Sequence, residues 1–258
     1  MARVGFLGMG EIAAALVQGL AGAGGAEGGH EIVVSPRNPT IAARLANEVA
    51  GVRIAADNEA VVAESDVVIL CLLASVARQV LPGLPFRATQ SVISAMVDLP
   101  LAELIGLCSP ASDIAITIPL PFVASGGCPL PVFPASAALA QLYGAKNPVF
   151  VVHSEAALNA HFAATALCSP LLAQMQATAD WLARVTGDAK SSEAYVCGVI
   201  RGYLPPMTTA GHLAAMLAAL STEGGLNATL AARMAPAVAD LTKGLDGFRP
   251  RLGLSKAP

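Results

Sequence analysis

The sequence predicts an α/β fold in which a doubly wound parallel sheet is followed by an all-α second half. Three observations carry this. Short apolar runs alternate with helix-period segments from residue 3 to residue 118, the pattern of successive βαβ units. One of those runs, DVVILCL at 66–72, is almost continuously apolar, as a strand covered on both faces must be. After Ser154 the chain is alanine-rich and helical only.

Taken in order, residues 3–7 form a short apolar strand, and a glycine turn leads into a helix over 12–20. A β-branched run at 31–35 is the second strand. Ile41, Leu45 and Val49 recur every four residues within a helix over 39–49. Residues 52–55 read as a strand and 58–64 as a helix, with Asp57 as its N-cap. The buried strand at 66–72 follows, then a helix over 75–81, a strand over 91–96, a helix over 101–107 and a strand over 113–118. Residues 130–134 and 147–152 have strand character. Beyond them, 156–185 reads as one long helix broken or kinked where Pro170 removes a donor. Further helices are expected over 191–203 (capped by Ser191 or Ser192 and stopped by Pro205-Pro206), 208–220, 226–234 and 236–245, with an untethered tail after Leu252. The expected domains are therefore 1–152 and 153–258.

Composition narrows the function classes. A net charge of -3 leaves no basic footprint for nucleic acid. Apolar residues make up 55 % and charged residues 13 %, so part of the apolar surface is expected to be covered by a second subunit, in a homodimer or larger homo-oligomer. The apolar window at 213–220 is too short for a membrane span of about 20 residues, and residues 2–7 read as a strand rather than a signal peptide. The five cysteines (Cys71, Cys108, Cys128, Cys168, Cys197) form no CxxC pair and lie at no metal-ligand spacing from a histidine. Reduced, buried thiols in a cytoplasmic protein are the expectation.

The chemistry-bearing signal is Gly8-Met9-Gly10-Glu11-Ile12-Ala13, a G-x-G-x-x-A run between the first strand and the first helix. Gly8 permits the tight turn, Gly10 lets the backbone approach a ligand without a β-carbon, and Ala13 keeps helix and strand close. Main-chain N–H groups at the helix start suit the pyrophosphate of a dinucleotide. At the end of the second strand, an enzyme using NAD usually carries a carboxylate for the ribose 2′-hydroxyl. The sequence there is Ser35-Pro36-Arg37-Asn38, in which Ser35, Arg37 and Asn38 can donate to a 2′-phosphate, Arg37 through a planar fork. NADP is therefore expected, with NAD the alternative.

These residues resemble the pyrroline-5-carboxylate reductase family, and the resemblance runs through nearly the whole chain. GFLGMGEIAAALVQGL is similar to the family's opening, Pro36-Arg37-Asn38 to its Asn-Arg-Ser cofactor loop at the arginine, DVVILCLLAS to its fourth-strand segment, VISAM to the next strand and ITIPLPF to its proline-rich segment. Ser169-Pro170 falls at the family's Ser-Gly-Ser-Gly-Pro, and Ser221-Thr222-Glu223-Gly224-Gly225-Leu226-Asn227 at its Ser-Pro-Gly-Gly-Thr-Thr. The resemblance implies an N-terminal Rossmann-like domain, a C-terminal helical dimerisation domain, and hydride transfer to a small cyclic imine in proline biosynthesis. It further implies that Cys71, Leu72 and Leu73 stand beside the cofactor. Glu223, Gly224, Gly225, Leu226 and Asn227 would hold a small carboxylate-bearing substrate, with Asn227 at the catalytic threonine's position. The sequence departs from the family where a lysine gives way to Leu72-Leu73-Ala74, an asparagine to Leu120 and that threonine to Asn227. An asparagine amide can hydrogen-bond a substrate but delivers no proton at neutral pH.

Two other functions fit the same residues: a cofactor-binding sensor or partner without reductase activity, and an enzyme acting on C=O, since Lys190 resembles the lysines of β-hydroxyacid dehydrogenases. His212 is a lesser candidate for a general acid. Tyr195, Tyr203 and Trp181 read as core or interface residues.

Overall fold

The computed structural model describes residues 2–21, 29–204 and 211–254. The chain divides into two compact units, Met1–His161 and Phe162–Pro258.

Among the described residues, the first unit holds eight strands: β1 (Arg3–Leu7), β2 (Glu31–Val34), β3 (Val52–Ile54), β4 (Val67–Leu70), β5 (Ser91–Ser94), β6 (Asp113–Thr117), β7 (Leu130–Phe133) and β8 (Val149–Val151). They form one sheet in the order β3-β2-β1-β4-β5-β6-β7-β8. Every pairing is parallel except β6 with β7. The helices between them are α1 (Glu11–Ala21), α2 (Pro39–Glu48), α3 (Asn58–Glu64), α4 (Ala74–Val80), α5 (Leu101–Leu107) and α6 (Ala137–Tyr143). This is a Rossmann-like doubly wound sheet, as the alternation of signals predicts. The strand order reverses direction at β1, whose neighbours β2 and β4 are reached by crossovers on opposite sides. Such a switch point opens a crevice beyond the carboxyl ends of the strands.

Strand residues alternate between the two faces. Val4, Phe6, Val34, Ile69 and Ile93 share one buried cluster with Leu16 and Leu20 of α1 and with Leu139, Leu142 and Tyr143 of α6. Helix α6 is not foreseen from the sequence, because Ala-Ala-Leu-Ala between two short strands gives little periodicity. Ser136 caps it, accepting from the Leu139 N–H at 3.1 Å. Its Tyr143 hydroxyl donates to the Leu16 carbonyl at 3.1 Å, tying α6 to α1. Asp57 caps α3 as expected. The other end of α3 is closed from a distance: buried Gln90 donates to the carbonyls of Val62 and Ser65 at 2.7 and 2.8 Å, and Arg87 donates to Ala63 and Ser65 at 2.8 and 2.6 Å.

Helix α7 (Glu155–Ala164) runs from the first unit into the second, and a 3-10 turn at Thr165–Leu167 separates it from α8 (Cys168–Thr186). The break expected near Pro170 thus falls just before it. Pro170 sits in the first turn of α8, where its missing N–H would have had no helical partner anyway. The second unit continues with α9 (Ala189–Tyr203), α10 (His212–Leu220) and α11 (Leu226–Gly247), and α8 packs along α9.

Several expectations are corrected here. Helix α9 is capped by Asp188, which accepts from the Ser191 N–H at 3.0 Å, rather than by Ser191 or Ser192. Ser192 instead donates back to the Asp188 carbonyl at 2.6 Å. The two helices expected on either side of Pro236 are one. Its ring deprives the Ala232 carbonyl of a donor, but residues 231–240 are all exposed, so water can satisfy that group. Cys168 and Cys197 are exposed in the single chain, and of the five thiols only Cys108 and Cys128 belong to fully buried residues. The Pro205-Pro206 stop, the start of the 208–220 helix and the last four residues of the tail lie outside the described residues.

The helices of the second unit are apolar on more faces than one chain covers. Leu172, Trp181, Tyr195, Leu217 and Leu226 are all more than half exposed. Among the described residues, Glu155–Thr186 (mean hydropathy 1.3), rather than the window at 213–220, is long and apolar enough to cross a membrane by length and composition. That stretch is interrupted by the 3-10 turn, carries Asp180 and Arg184 near its end, and lays one side along α9.

Candidate functional site

The site begins where β1 ends. The Gly8 backbone has φ +91°, and a Cβ built there would lie 2.4 Å from the carbonyl oxygen of Cys71 at the end of β4. Only glycine fits both constraints. The Gly8 N–H is bonded in the opposite direction, to Ser35 Oγ at 3.2 Å, just past the end of β2. The turn is therefore fixed from both neighbouring strands at the switch point. Gly10 differs, because a Cβ there would meet no atom within 4 Å. Neither packing nor a positive φ requires glycine at this position. What its missing side chain leaves is open space directly over the start of α1.

The first backbone bond of α1 runs from the Ala14 N–H to the Gly10 carbonyl at 3.0 Å. The N–H groups of Glu11, Ile12 and Ala13 precede that ladder and carry the positive end of the helix dipole. In front of the turn lies a cavity of about 280 Å³ lined by Gly8, Met9, Gly10, Arg37, Asn38, Cys71, Leu72, Leu73 and Val76. This is close to the lower end of the range for small-molecule sites, about 300 Å³. Among the described residues, Arg37 is its only charged lining residue and forms no ion pair. Asn38 caps α2, its Oδ1 accepting from the Ile41 N–H at 3.3 Å, which leaves its amide N–H groups as donors. An open glycine, a helix start and an unpaired guanidinium on one cavity fit an anionic, phosphate-bearing group.

The structure thus brings together eight of the residues singled out from the sequence: Gly8, Met9, Gly10, Arg37, Asn38, Cys71, Leu72 and Leu73. Glu11 and Ile12 do not line the cavity; they lie in the first turn of α1, which begins beside it. Ser35 is completely buried and lies outside the wall. Sequence reading missed Val76. Its signal was available, since it sits in the first turn of the helix after β4, on the other side of the same switch point. Cys71 forms part of the wall, but burial pushes its thiol up to about 12, so it is no nucleophile at neutral pH. Burial likewise drives the Tyr143 phenol well above its ordinary value.

In the second unit, Glu223 and Gly224 form an exposed turn, Gly224 at φ +72°. The Gly225 N–H donates to the Thr222 carbonyl at 3.0 Å, and Gly225 opens α11 without a side-chain cap. Leu226 and Asn227 are exposed in the first turn of α11, Leu226 to 90 %. His212 begins α10 after Gly211. Lys190 lies in the first turn of α9, not in a loop.

Fold and site together define a Rossmann-like α/β unit with a cavity at its switch point, followed by a helical second unit. Residues 3–98 match the model of the family described as "NADP oxidoreductase coenzyme F420-dependent". The search of curated proteins returns no significant match. Among solved structures, a 1-pyrroline-5-carboxylate reductase from Streptococcus pyogenes is 18 % identical, with a TM-score of 0.78 over 97 % of this chain and 98 % of that one. A pyrroline carboxylate reductase from Plasmodium falciparum, solved with NADP bound, is 14 % identical, with a TM-score of 0.80 over 97 % of each chain. A reductive aminase from Aspergillus terreus, solved with NADPH and ethyl-5-oxohexanoate, is 19 % identical, with a TM-score of 0.61 over 99 % of this chain and 89 % of that one. The chain has the fold of these proteins from end to end.

Proposed function

We propose that the protein is an NADP-dependent oxidoreductase of the pyrroline-5-carboxylate reductase type, reducing a small cyclic imine. The observation that carries this is the meeting of three things at the switch point: the turn at Gly8, the open space at Gly10 and the unpaired Arg37. Gly8 to Ile12 receive the pyrophosphate, and Arg37 with Asn38 receives the 2′-phosphate. Leu72 and Leu73 offer an apolar wall. Support comes from the match of residues 3–98, which span β1 to β5 and carry every one of these groups, and from the cofactors named for the two relatives solved with NADP and NADPH.

When bound, a reduced nicotinamide supplies a hydride to the imine carbon. The nitrogen then gains a proton, and the C=N bond becomes a C–N single bond. The chain's task is to hold the two partners in reacting position. Glu223, Gly224, Gly225, Leu226 and Asn227 are the proposed substrate segment, the N–H groups opening α11 receiving a carboxylate. Asn227 hydrogen-bonds the substrate, and the proton comes from solvent.

A second reading, a cofactor-binding sensor or partner without reductase activity, is favoured by Leu120, Asn227 and the Leu72-Leu73-Ala74 run, which replace three polar positions of the family's pattern. NADPH oxidation measured with pyrroline-5-carboxylate and a panel of small cyclic imines separates the two. Turnover of any member is expected; tight NADPH binding with no turnover of any would select the second reading.

The exposed apolar faces of α8 to α11 support a homodimer or larger homo-oligomer, with the second unit as the dimerisation and substrate domain. Sedimentation at micromolar concentration is expected to give at least a dimer, and a monodisperse monomer would contradict this. The proposed location is cytoplasmic, a compartment that keeps thiols reduced.

A further inference from the structure

We infer that Ser35 is a positioning residue for the pyrophosphate turn rather than a contact for the 2′-phosphate. The inference deepens the proposed cofactor reading and rests on it. A serine beside Arg37, at the end of β2, has the chemistry to donate to a phosphate. Its geometry is different: Ser35 has no exposed surface, is absent from the cavity wall and points its Oγ at the Gly8 N–H, 3.2 Å away.

Gly8 holds φ +91° against the Cys71 carbonyl, a conformation that glycine adopts but does not prefer over its alternatives. Something must select it before ligand arrives. On the β4 side the device is the Cys71 N–H, which donates to the Leu7 carbonyl of the same Leu7–Gly8 peptide at 2.8 Å. On the β2 side it is the Ser35 hydroxyl, which gives the buried Gly8 N–H its partner. Ser35 is itself fixed, its N–H donating to the Phe6 carbonyl at 3.0 Å in the β1–β2 ladder. Two residues further on, the same segment carries Arg37. One short stretch therefore sets the shape of the turn through Ser35 and offers the cation through Arg37.

Removing the hydroxyl leaves the Gly8 N–H unpartnered and lets the turn sample other conformations. Apparent affinity then falls by the fraction that remains competent. The loss falls on everything that uses the turn, with or without a 2′-phosphate.

The test is titration of the full chain and its Ser35→Ala variant with NADPH and with NADH, read by the fluorescence of the reduced nicotinamide. Both dissociation constants are expected to rise by the same factor, about 5- to 20-fold, leaving the NADPH/NADH ratio within about twofold of the parent. Loss confined to NADPH would overturn the inference in favour of a direct phosphate contact, and unchanged affinity for both would overturn it outright. Hydrogen exchange at the Gly8 amide in the nucleotide-free proteins provides a readout of the pin itself, and is expected to be faster in the variant. If Ser35→Ala does not fold, Ser35→Cys, close in volume but a weak acceptor, carries the same ratio criterion. A parent protein that binds neither nucleotide would instead overturn the cofactor reading beneath it.

Discussion

Gly8→Ala is expected to destabilise the first unit by about 3–5 kcal/mol, while Gly10→Ala, the same change two residues away, costs less than about 1 kcal/mol. The asymmetry follows from geometry. At position 8 the methyl group lands 2.4 Å from the Cys71 carbonyl oxygen, a main-chain atom that cannot move aside without pulling β4, and φ is +91°. A strained left-handed residue costs about 1–3 kcal/mol and overpacking a similar amount again. Set against a typical total of about 5–15 kcal/mol, this is severe. At position 10 the methyl group meets nothing within 4 Å, and the cost is that of a poorer helix N-cap. The order reverses for ligand. Gly10→Ala fills the space left for the pyrophosphate and is expected to weaken NADPH binding by at least about tenfold in a folded protein. Denaturant unfolding and nucleotide titration on the two variants measure both effects. Equal stability loss at the two positions would refute the account of the turn.

Arg37→Ala is expected to weaken NADPH binding by about 30- to 100-fold and to leave NADH binding within about twofold. A hydrogen bond to a charged group contributes about 1.5–3 kcal/mol, with every 1.4 kcal/mol equal to a factor of ten. Among the described residues, Arg37 forms no ion pair and is the only charged residue on the cavity wall, so its removal breaks no internal bridge and its effect falls on the ligand. Arg37→Lys keeps the charge but loses the fork, and is expected to fall between the two. Titration with both nucleotides reads the result. A fall in NADH affinity as large as that for NADPH would remove Arg37 from the 2′-phosphate.

Much of the first unit is legible in the sequence because its signals are local. The glycine turn, the β-branched runs and the Asp57 cap declare themselves within a few residues, and the near-continuous apolar content of 66–72 reports burial on both faces. The site was legible for the same reason, since the topology of a doubly wound sheet brings the ends of β1, β2 and β4 together. What could not be read depends on distant partners. The role of Ser35 turns on which way a hydroxyl points across the β1–β2 ladder, and residue type carries no such information. Helix α6 is made stable by Tyr143 reaching α1, a contact 127 residues apart in sequence. The sequence predicts separate helices over 226–234 and 236–245; proline does remove a donor, but the exposure of that stretch lets one helix continue.

The central claim is that main-chain N–H groups at the start of α1 grip a dinucleotide's pyrophosphate. Amide-resolved NMR of the full chain, titrated with NADPH, tests it most directly. The largest shifts are expected at the amides of Gly10, Glu11, Ile12 and Ala13, saturating together with those of Arg37 and Asn38. Saturating nucleotide that left these amides unmoved, or moved only those of another region, would contradict it.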